Sequence, residues 1–238
     1  TLGDATDYGD LTAARFKLSG CSNSTRGLTI GGRESSDVNT IDYYDLTSSG
    51  NASDFGDLSA AVQGPSALAN STRGIRGGGE TSTVKDVMEY VTIGSTGNST
   101  DFGDLTVARM NLGSAASSTR GLFAGGTGNA GNSNVIEYIT IGSTGNGQDF
   151  GDLTVDGQHM SGASNSTRAL FGSGSGRTAV IDYVTIASTG NATDFGDPSV
   201  SRNGATGAAS TTRAVFGGSG NTIDYVTIAT TGNAIDFG

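Results

Sequence analysis

Several residue types are scarce in this chain, and each shortage excludes a class of protein. Its 238 residues include one Cys, one His, two Pro and no Trp. Cys21 has no second cysteine to pair with, so small secreted folds that are held together by disulfides are excluded. His159 has no Cys or His partner that recurs near it, and the sequence therefore predicts neither a zinc site nor a catalytic triad there. We interpret His159 as a loop residue.

Positive charge and long apolar runs are scarce as well. The formal net charge is −10 and the sequence pI is about 4.3. An acidic surface repels phosphate groups, so nucleic acid is not an expected partner. No apolar run reaches the roughly 18 residues of a membrane-spanning helix, so no membrane insertion is expected.

What the chain has in abundance is glycine, 40 residues of it, and self-similarity. Three short landmarks recur in fixed order every 42–48 residues, a period that is typical of propeller blades. The first landmark is Asp-aromatic-Gly, which begins at Asp7, Asp54, Asp101, Asp149, Asp194 and Asp236. The second is Thr-Arg, with its arginine at Arg26, Arg73, Arg120, Arg168 and Arg213. The third is an acid followed by Tyr, with the acid at Asp42, Glu89, Glu137, Asp182 and Asp224.

One repeat shows the pattern of four strands. Gly113–Ala116 is a run of small residues, and Gly121–Gly126 is an apolar run that ends in a Gly pair. Val135–Ile141 is rich in β-branched and aromatic residues, and Asp149–Val155 has the pattern of a further strand. Apolar residues fall on both faces of Val135–Ile141, which indicates a sheet packed between two others. Four antiparallel strands per repeat correspond to one propeller blade.

We therefore predict an all-β fold, a single five-bladed β-propeller over residues 1–238 with four antiparallel strands per blade. The predicted repeats are 7–53, 54–100, 101–148, 149–193 and 194–238. The segments around Asp7 and Asp236 occupy the same repeat phase. We expect closure by residues 1–13, of which 7–13 supply the outer strand of the last blade and remove its open edge. The alternative is that the chain is a section of a longer array of repeats.

The landmarks resemble kelch-type repeats. In these repeats an apolar strand ends in Gly-Gly and is followed by a Tyr strand, a turn and a strand that begins with an aromatic residue. Here Leu122–Gly126, Tyr138, Gly145-Asn146 and Phe150 follow in that order, with Phe or Tyr where kelch repeats usually carry Trp. The resemblance covers nearly the whole chain and implies a kelch-like propeller.

The amino-acid sequence of the repeat also resembles repeats in structural proteins of marine bacteriophages, notably cyanophages. It is clearest in Tyr183–Asp197. This resemblance implies a non-catalytic structural or adhesion module of a phage virion, such as a tail fibre, an appendage or a capsid-surface protein. Such a module would lie on the virion surface or outside the cell and serve host attachment, with other virion proteins or a host surface glycan or protein bound through its loop tips. The alternative is a soluble glycan-binding lectin with one site per blade.

We predict no enzymatic activity, no cofactor and no metal site. Five-bladed propellers do host glycosidases, which need two carboxylates on one axial face, but most acids of this chain follow the repeat and are typical of a structural role. The recurring Asp-x-Gly-Asp could supply oxygen ligands to calcium. It lacks the dense Asp-x-Asp-x-Asp spacing of a calcium-binding loop, so we favour a structural role in which the aspartate caps its own turn.

Structural roles are predicted for the motif aspartates and for the Thr-Arg arginines. Because every repeat carries both, we expect buried arginine–carboxylate pairs that hold the blades together. The aspartates are Asp7, Asp54, Asp101, Asp149 and Asp194, and the arginines are Arg26, Arg73, Arg120, Arg168 and Arg213.

Binding residues are predicted where the repeats differ from one another. The loops between the second and third strands vary, at 33–39, 80–86, 127–134, 173–179 and 219–222. The segments that enter each blade vary as well, at 16–20, 63–68, 110–113, 157–161 and 203–207. Variable loops on a rigid frame commonly carry binding function. We expect the first set to share one face of the ring, and we predict a contact surface of Arg33, Glu34, Lys85, Asn129, Asn132 and Arg177.

Overall fold

The computed structural model describes residues 6–172, 174, 180–202, 204–218 and 221–237. These residues form strands, turns and loops, and no helix. The strands are arranged in five antiparallel sheets. The all-β prediction is confirmed, and the architecture is that of a five-bladed β-propeller in which each sheet is one blade.

Each sheet is built from strands that follow one another along the chain. The first contains β1 (Ser19–Ser22), β2 (Arg26–Ile30), β3 (Thr40–Asp45) and β4 (Ser53–Asp57). The second contains β5 (Ser66–Ala69), β6 (Arg73–Gly77), β7 (Val87–Thr92) and β8 (Thr100–Asp104). The third contains β9 (Gly113–Ala116), β10 (Arg120–Ala124), β12 (Gly131–Thr140) and β13 (Gln148–Gly157), with a short β11 (Thr127–Gly128) paired to the start of β12. The fourth contains β14 (Ser161–Ser164), β15 (Arg168–Gly172), β16 (Ile181–Thr185) and β17 (Thr193–Gly196). The fifth contains β18 (Thr206–Ala209), β19 (Arg213–Gly217), β20 (Ile223–Thr227) and β21 (Ile235–Asp236).

The chain divides into two compact units. Among the described residues, the N-terminal unit holds 6–110 and 140–147, and the C-terminal unit holds those of 111–139 and 148–237. Within each unit, successive sheets pack face to face. In the N-terminal unit the core consists of Leu28, Ile30, Ile41, Phe55, Leu58, Val62, Ala67, Val91 and Ile93. Buried strands of this kind, apolar on both faces, agree with the predicted stacking.

The small residues of the first strands are required by close packing. A Cβ atom added to Gly162 in β14 would lie 2.0 Å from the carbonyl oxygen of Ser114 in β9. The glycine of Asp-aromatic-Gly has the same origin. Gly56 has a φ of +145°, and a Cβ atom there would lie 2.5 Å from the carbonyl group of Gly97 in the turn of the next sheet. Neither position leaves room for a side chain.

The predicted closure of the last blade by residues 7–13 is wrong. The fourth strand of the fifth sheet is β21, whose Asp236 and Ile235 pair with Asp224 and Tyr225. Residues 8–10 lie instead against the first sheet, where the Gly50 amide donates to the Tyr8 carbonyl at 2.8 Å. β21 follows β20 after one tight turn, so its pairing closes a short loop at low entropic cost, whereas residues 7–13 lie at the opposite end of the chain.

Candidate binding site

Neighbouring sheets are held together by a set of contacts that recurs at the Thr-Arg arginines. We call this set of contacts the clamp, and the sheets that it joins the frame. The Arg26 guanidinium lies 4.6 Å from the centre of the Tyr43 ring in its own sheet. Its Nη1 also donates to the carbonyl oxygen of Ile93 in the next sheet, at 3.0 Å. The same two contacts are made by Arg73 with Tyr90 and Ile141, by Arg120 with Tyr138 and Ile186, and by Arg168 with Tyr183 and Ile228. A cation over an aromatic face and a charged hydrogen bond together fix the spacing of neighbouring sheets.

The predicted partner of these arginines is therefore wrong. The motif aspartates Asp7, Asp54, Asp101, Asp149 and Asp194 are all exposed. Asp7 and Asp194 accept a hydrogen bond from the amide of the glycine two residues later, at 3.0 and 2.9 Å. They cap their own turns, as the alternative interpretation of the motif expected. An aspartate at the outer edge of a sheet stays solvated, and pairing it with an arginine would require burial that this position does not offer.

The acids of the acid-Tyr landmark are all buried, with exposures of 0–3 %: Asp42, Glu89, Glu137, Asp182 and Asp224. Three of them, Asp42, Glu89 and Asp224, pair with an arginine. Arg15 Nη2 donates to Asp42 at 2.9 Å, and Arg202 Nη1 donates to Asp224 at 2.7 Å. In the second sheet the arginine comes from a different place, because Arg76 on β6 bonds Glu89 on β7 through Nε at 2.9 Å. An acid that recurs inside an apolar strand is the sequence signal that would have revealed this network.

These environments move the carboxyl pKa values in both directions. Burial alone would raise the pKa of Glu89, but Arg76 and hydrogen bonds from Ser59 and Ser99 outweigh it, so the pKa lies below its ordinary value. In the same way, Arg202 and Ser199 outweigh burial and lower the pKa of Asp224. Asp182 receives hydrogen bonds only from Thr154 among the described residues, and burial raises its pKa.

The predicted binding residues lie where the second strand of a sheet passes to the third. We call this boundary the loop edge of the sheet. Arg33 and Glu34 follow β2, with Glu34 exposed and the Arg33 side chain 41 % exposed. Arg33 contacts Asp37 at 3.3 Å. Lys85 lies in the corresponding loop after β6, where its Nζ bonds Thr83 Oγ1 at 3.0 Å.

In the C-terminal unit the loop edge of the third sheet is a small hairpin. Asn129 and Asn132 are both exposed, and Asn132 pairs with Thr127 in the β11–β12 ladder. Thr127 Oγ1 also contacts Gln158 Oε1 at 2.7 Å. Arg177 lies outside the described residues.

The loop edge also includes the segments that enter each sheet. Phe16 and Arg33 form an antiparallel bridge, with amide-to-carbonyl distances of 3.0 and 2.8 Å. Gln63 and Glu80 form the equivalent bridge in the second sheet, at 2.9 and 2.8 Å. The two sets of variable loops therefore make one continuous surface at each of these sheets.

Backbone strain is concentrated in the same segments. Lys17, Asn111 and His159 have positive φ angles of 54–56°, and they occupy the position that Gly64 and Gly204 hold in the other sheets. These three are the only non-glycine residues with positive φ in the described chain. A left-handed backbone is unfavourable for a residue with a Cβ atom, and such strain clusters at functional sites. His159 is a loop residue, as predicted.

Positive charge is distributed just as unevenly. Of the 13 basic residues, five are clamp arginines, and the side chains of Arg15, Arg76, Arg109 and Arg202 are buried. Of the remaining four, Lys17, Arg33 and Lys85 lie at the loop edge, and Arg177 is outside the described residues. Outside the clamp positions, the solvated cations of the described chain therefore lie at this edge, whereas the exposed motif aspartates lie on the outer strands.

This arrangement can bind a ligand by charge, hydrogen bonds and ring contacts. The described residues include no group of three or more His, Cys, Asp or Glu side chains that could hold a metal ion. No helix long and apolar enough to cross a membrane occurs among them either.

The fold defines the class of protein as a five-bladed β-propeller whose variable surface is the loop edge. No family model matches the chain, and no curated protein matches it. The resemblances to kelch repeats and to marine phage proteins remain predictions.

Proposed function

We propose that this protein is a non-catalytic binding module that holds its partner at the loop edge. The observation that carries the proposal is the separation of a uniform frame from a variable edge. The clamp of arginine, tyrosine and isoleucine carbonyl repeats with nearly constant distances of 4.4–4.6 Å to the ring and 2.7–3.0 Å to the carbonyl oxygen. Solvated cations and strained residues are found at the loop edge instead.

A rigid frame with variable loops favours recognition over chemistry. The buried carboxylates accept hydrogen bonds from the segment that precedes their own sheet, for example Asp42 from Thr12 and Asp182 from Thr154. Such buried groups stabilise the blades. This supports the absence of catalysis that the repeat-periodic acids predict.

We propose the biological context of the module from the amino-acid sequence of its repeats. Its likeness to structural proteins of marine phages supports a place in a virion, as a fibre, an appendage or a capsid-surface protein. The partner would then be another virion protein or a host surface glycan or protein. The loop edge provides the contact surface for either.

The proposal is tested with matched substitutions at the two edges. One variant carries Arg33→Ala and Lys85→Ala at the loop edge, and the control carries Asp54→Ala and Asp101→Ala on the outer strands. Both are measured by biolayer interferometry against the purified products of the neighbouring genes and against a glycan array. We expect the loop-edge variant to lose at least about tenfold in affinity and the control to stay within about twofold, because exposed charge contacts are worth roughly 1 kcal/mol each when they meet a partner.

The opposite result contradicts the proposal. Greater loss in the outer-strand variant would move the binding surface away from the loop edge. Release of a cleaved product from a bound glycan would make the protein an enzyme.

A further inference from the structure

Phe16 is the starting point, because it is a large apolar ring that lies 55 % exposed at the loop edge of the first sheet. We propose that Phe16, Lys17 and Arg33 form a single binding site for an acidic saccharide, one that carries a carboxylate on a pyranose ring. This inference rests on the proposed function and names the ligand class of the loop edge. The site lies entirely within the N-terminal unit.

The bridge between Phe16 and Arg33 places their side chains together. Residues directly opposite in an antiparallel pair project to the same face, with Cβ atoms roughly 5 Å apart. The face of an aromatic ring carries partial negative charge, which attracts the polarised C–H groups of a sugar ring. The neighbouring Arg33 guanidinium, 41 % exposed, contacts Asp37 through Nη1 at 3.3 Å, and its other N–H groups can donate to a carboxylate at the edge of the same sugar. One ring and one forked donor therefore meet the two chemical features of an acidic sugar.

Lys17 supplies a cation that the protein does not neutralise. Its Nζ donates to the amide oxygen of Gln63 at 3.1 Å, and no carboxylate of the described residues lies within ion-pair distance of it. Gln63 in turn contacts Glu80 at 3.3 Å, which orients the amide toward Lys17. A lysine that follows the exposed Phe16 directly in the chain, and that has no carboxylate partner among the described residues, is suited to a carboxylate on the ligand.

The backbone at Lys17 holds this residue in place at an energetic cost. Its φ is 54°, and the equivalent residue of the second sheet, Gly64, has a φ of 60°. Glycine would fit this conformation without strain, so the presence of lysine is explained by what its side chain does. The segment is fixed on both sides, because the Lys17 carbonyl accepts from the Gly64 amide at 2.8 Å and Arg15 is buried against Asp42.

The sequence offers this combination once. The residue that precedes the left-handed position is Phe16 in the first sheet, whereas it is Gln63, Met110, Gln158 and Asn203 in the others. No other sheet therefore pairs an aromatic ring with two cations. This predicts one site per chain, in contrast to a lectin with one site per blade.

The negative net charge does not prevent an anion from binding here. The Debye length is about 8 Å at physiological ionic strength, so acids beyond that distance are largely screened, and the acids next to the site are Asp37, which contacts Arg33, and Glu80, which contacts Gln63. The local cations act over shorter distances. Binding should weaken as salt is added, because Lys17 and Arg33 are exposed.

The experiment uses a matched pair of ligands and the full chain. The ligands are tetragalacturonate and its methyl ester, in which each carboxylate is replaced by a neutral methyl ester group. Isothermal titration calorimetry should show binding of the acid with a stoichiometry near one, and at least about tenfold weaker binding of the ester. Equal affinity for the ester, more than one site per chain, or no binding of either ligand would overturn the inference.

Substitutions separate the site from the stability of the fold. Phe16→Ala should reduce affinity at least about tenfold, whereas Val107→Ala, at another exposed hydrophobic residue of the same unit, should leave it within about twofold. Lys17→Gly should weaken binding while it raises thermal stability, a combination that general damage to the fold cannot produce. Lys17→Arg should retain binding. Unchanged affinity in Phe16→Ala or Lys17→Gly would refute the assignment.

The failure of this inference and the failure of the proposed function are distinguishable. If a gene-neighbour protein binds through Arg33 and Lys85 while neither saccharide binds, the proposed function stands and the saccharide site is wrong. If a polyglutamate peptide binds at Phe16 and tetragalacturonate does not, the ligand is an acidic protein segment. If tetragalacturonate binds and the substitutions at Phe16 and Lys17 have no effect, the site lies elsewhere.

Discussion

The substitution Asp→Asn at two equivalent buried positions should lower stability at one of them and not at the other. Asp42 and Asp182 both precede the Tyr of their sheets, and both accept a hydrogen bond from a threonine hydroxyl at 2.7 Å. Asp42 also pairs with Arg15 at 2.9 Å, whereas no arginine or lysine of the described residues contacts Asp182. Asparagine keeps the shape of the side chain, but only its Oδ1 can accept, so both variants lose one of the two hydrogen bonds that the threonine donates. Because this loss is common to both sites, the difference between the two variants isolates the charge.

The size of the stability change depends on which charged groups stay buried after the substitution. Asp42→Asn leaves the Arg15 guanidinium at 0 % side-chain exposure without its carboxylate, and its Nε and Nη1 already have no hydrogen-bond partner. Removing one partner of a buried ion pair costs about 3–5 kcal/mol. For a chain of this length that corresponds to a fall in Tm on the order of 10 °C. Asp182→Asn removes a buried charge that has no opposite charge beside it, so stability at pH 7 should be unchanged or increased.

The dependence on pH supplies a second signature. Burial raises the pKa of Asp182 in the folded state. At a pH above the ordinary aspartate pKa, the folded protein therefore binds a proton at this residue more readily than the unfolded chain does. The destabilising effect of this residue is therefore greatest at neutral pH and disappears as pH falls below that ordinary value. Any gain from Asp182→Asn should disappear in the same way. Glu89 and Asp224, whose pKa values are lowered, stabilise the fold at neutral pH and lose that effect on acidification.

Urea unfolding followed by tyrosine fluorescence, at pH 7, 5 and 4, measures both effects. The midpoint should fall strongly for Asp42→Asn at pH 7 and should hold or rise for Asp182→Asn. The reasoning is refuted if Asp182→Asn costs as much as Asp42→Asn at pH 7. It is also refuted if a gain from Asp182→Asn is the same at all three pH values.

Three further measurements test the frame. Arg120→Ala should lower the free energy of unfolding in urea by about 2–3 kcal/mol, because it removes a charged hydrogen bond of 2.9 Å and a ring contact of 4.4 Å. Arg213→Ala removes only the contact of an exposed arginine with Tyr225 among the described contacts, so it should lower the free energy of unfolding clearly less. Lys17→Gly should add about 1 kcal/mol and the reverse change Gly64→Lys should cost at least as much, since both positions have left-handed backbone; equal stability in all variants would contradict the strain. Burial raises the pKa of the half-buried Cys21 to about 12, so iodoacetamide at pH 8 should label the folded chain much more slowly than the unfolded chain, and equal labelling rates would contradict this shift.

The fold was predictable because each repeat confirms the others. Four strands were expected in the third repeat, and the first of them, Gly113–Ala116, agrees with β9 residue for residue. Apolar residues on both faces of one strand indicated stacked sheets, and Ile136 and Ile139 are buried as expected. The closure was not predictable from the repeat phase. Two copies of Asp-aromatic-Gly compete for the last sheet, and the choice between them depends on loop entropy, which a pattern of residues does not contain.

The binding residues that the variable loops predict stay a prediction. The structure places Arg33 and Lys85 of that set at the loop edge, outside the clamp. The pairing of clamp arginines with aspartates was wrong because both recur in every repeat, and shared periodicity says nothing about distance. Their actual partner is a backbone carbonyl, for example that of Ile186, which has no signature in the sequence. Phe16 was included only as the start of a variable segment, since its exposure depends on the bridge to Arg33.

The frame and the loop edge are coupled at one place, the segment that contains Arg15, Phe16 and Lys17. Arg15 is buried against Asp42, and the next two residues form the proposed saccharide site. The second sheet has Val62 where the first has Arg15 and takes its arginine from β6 instead, so its segment lacks this anchor. A ligand site needs side chains that are held before the ligand arrives, because ordering them on binding costs affinity. Asp42→Asn should therefore weaken tetragalacturonate binding at temperatures where the variant is still folded, whereas Asp182→Asn should leave the affinity unchanged. Equal affinities of the two variants under those conditions would show that the buried pair stabilises the sheet without positioning Phe16 and Lys17.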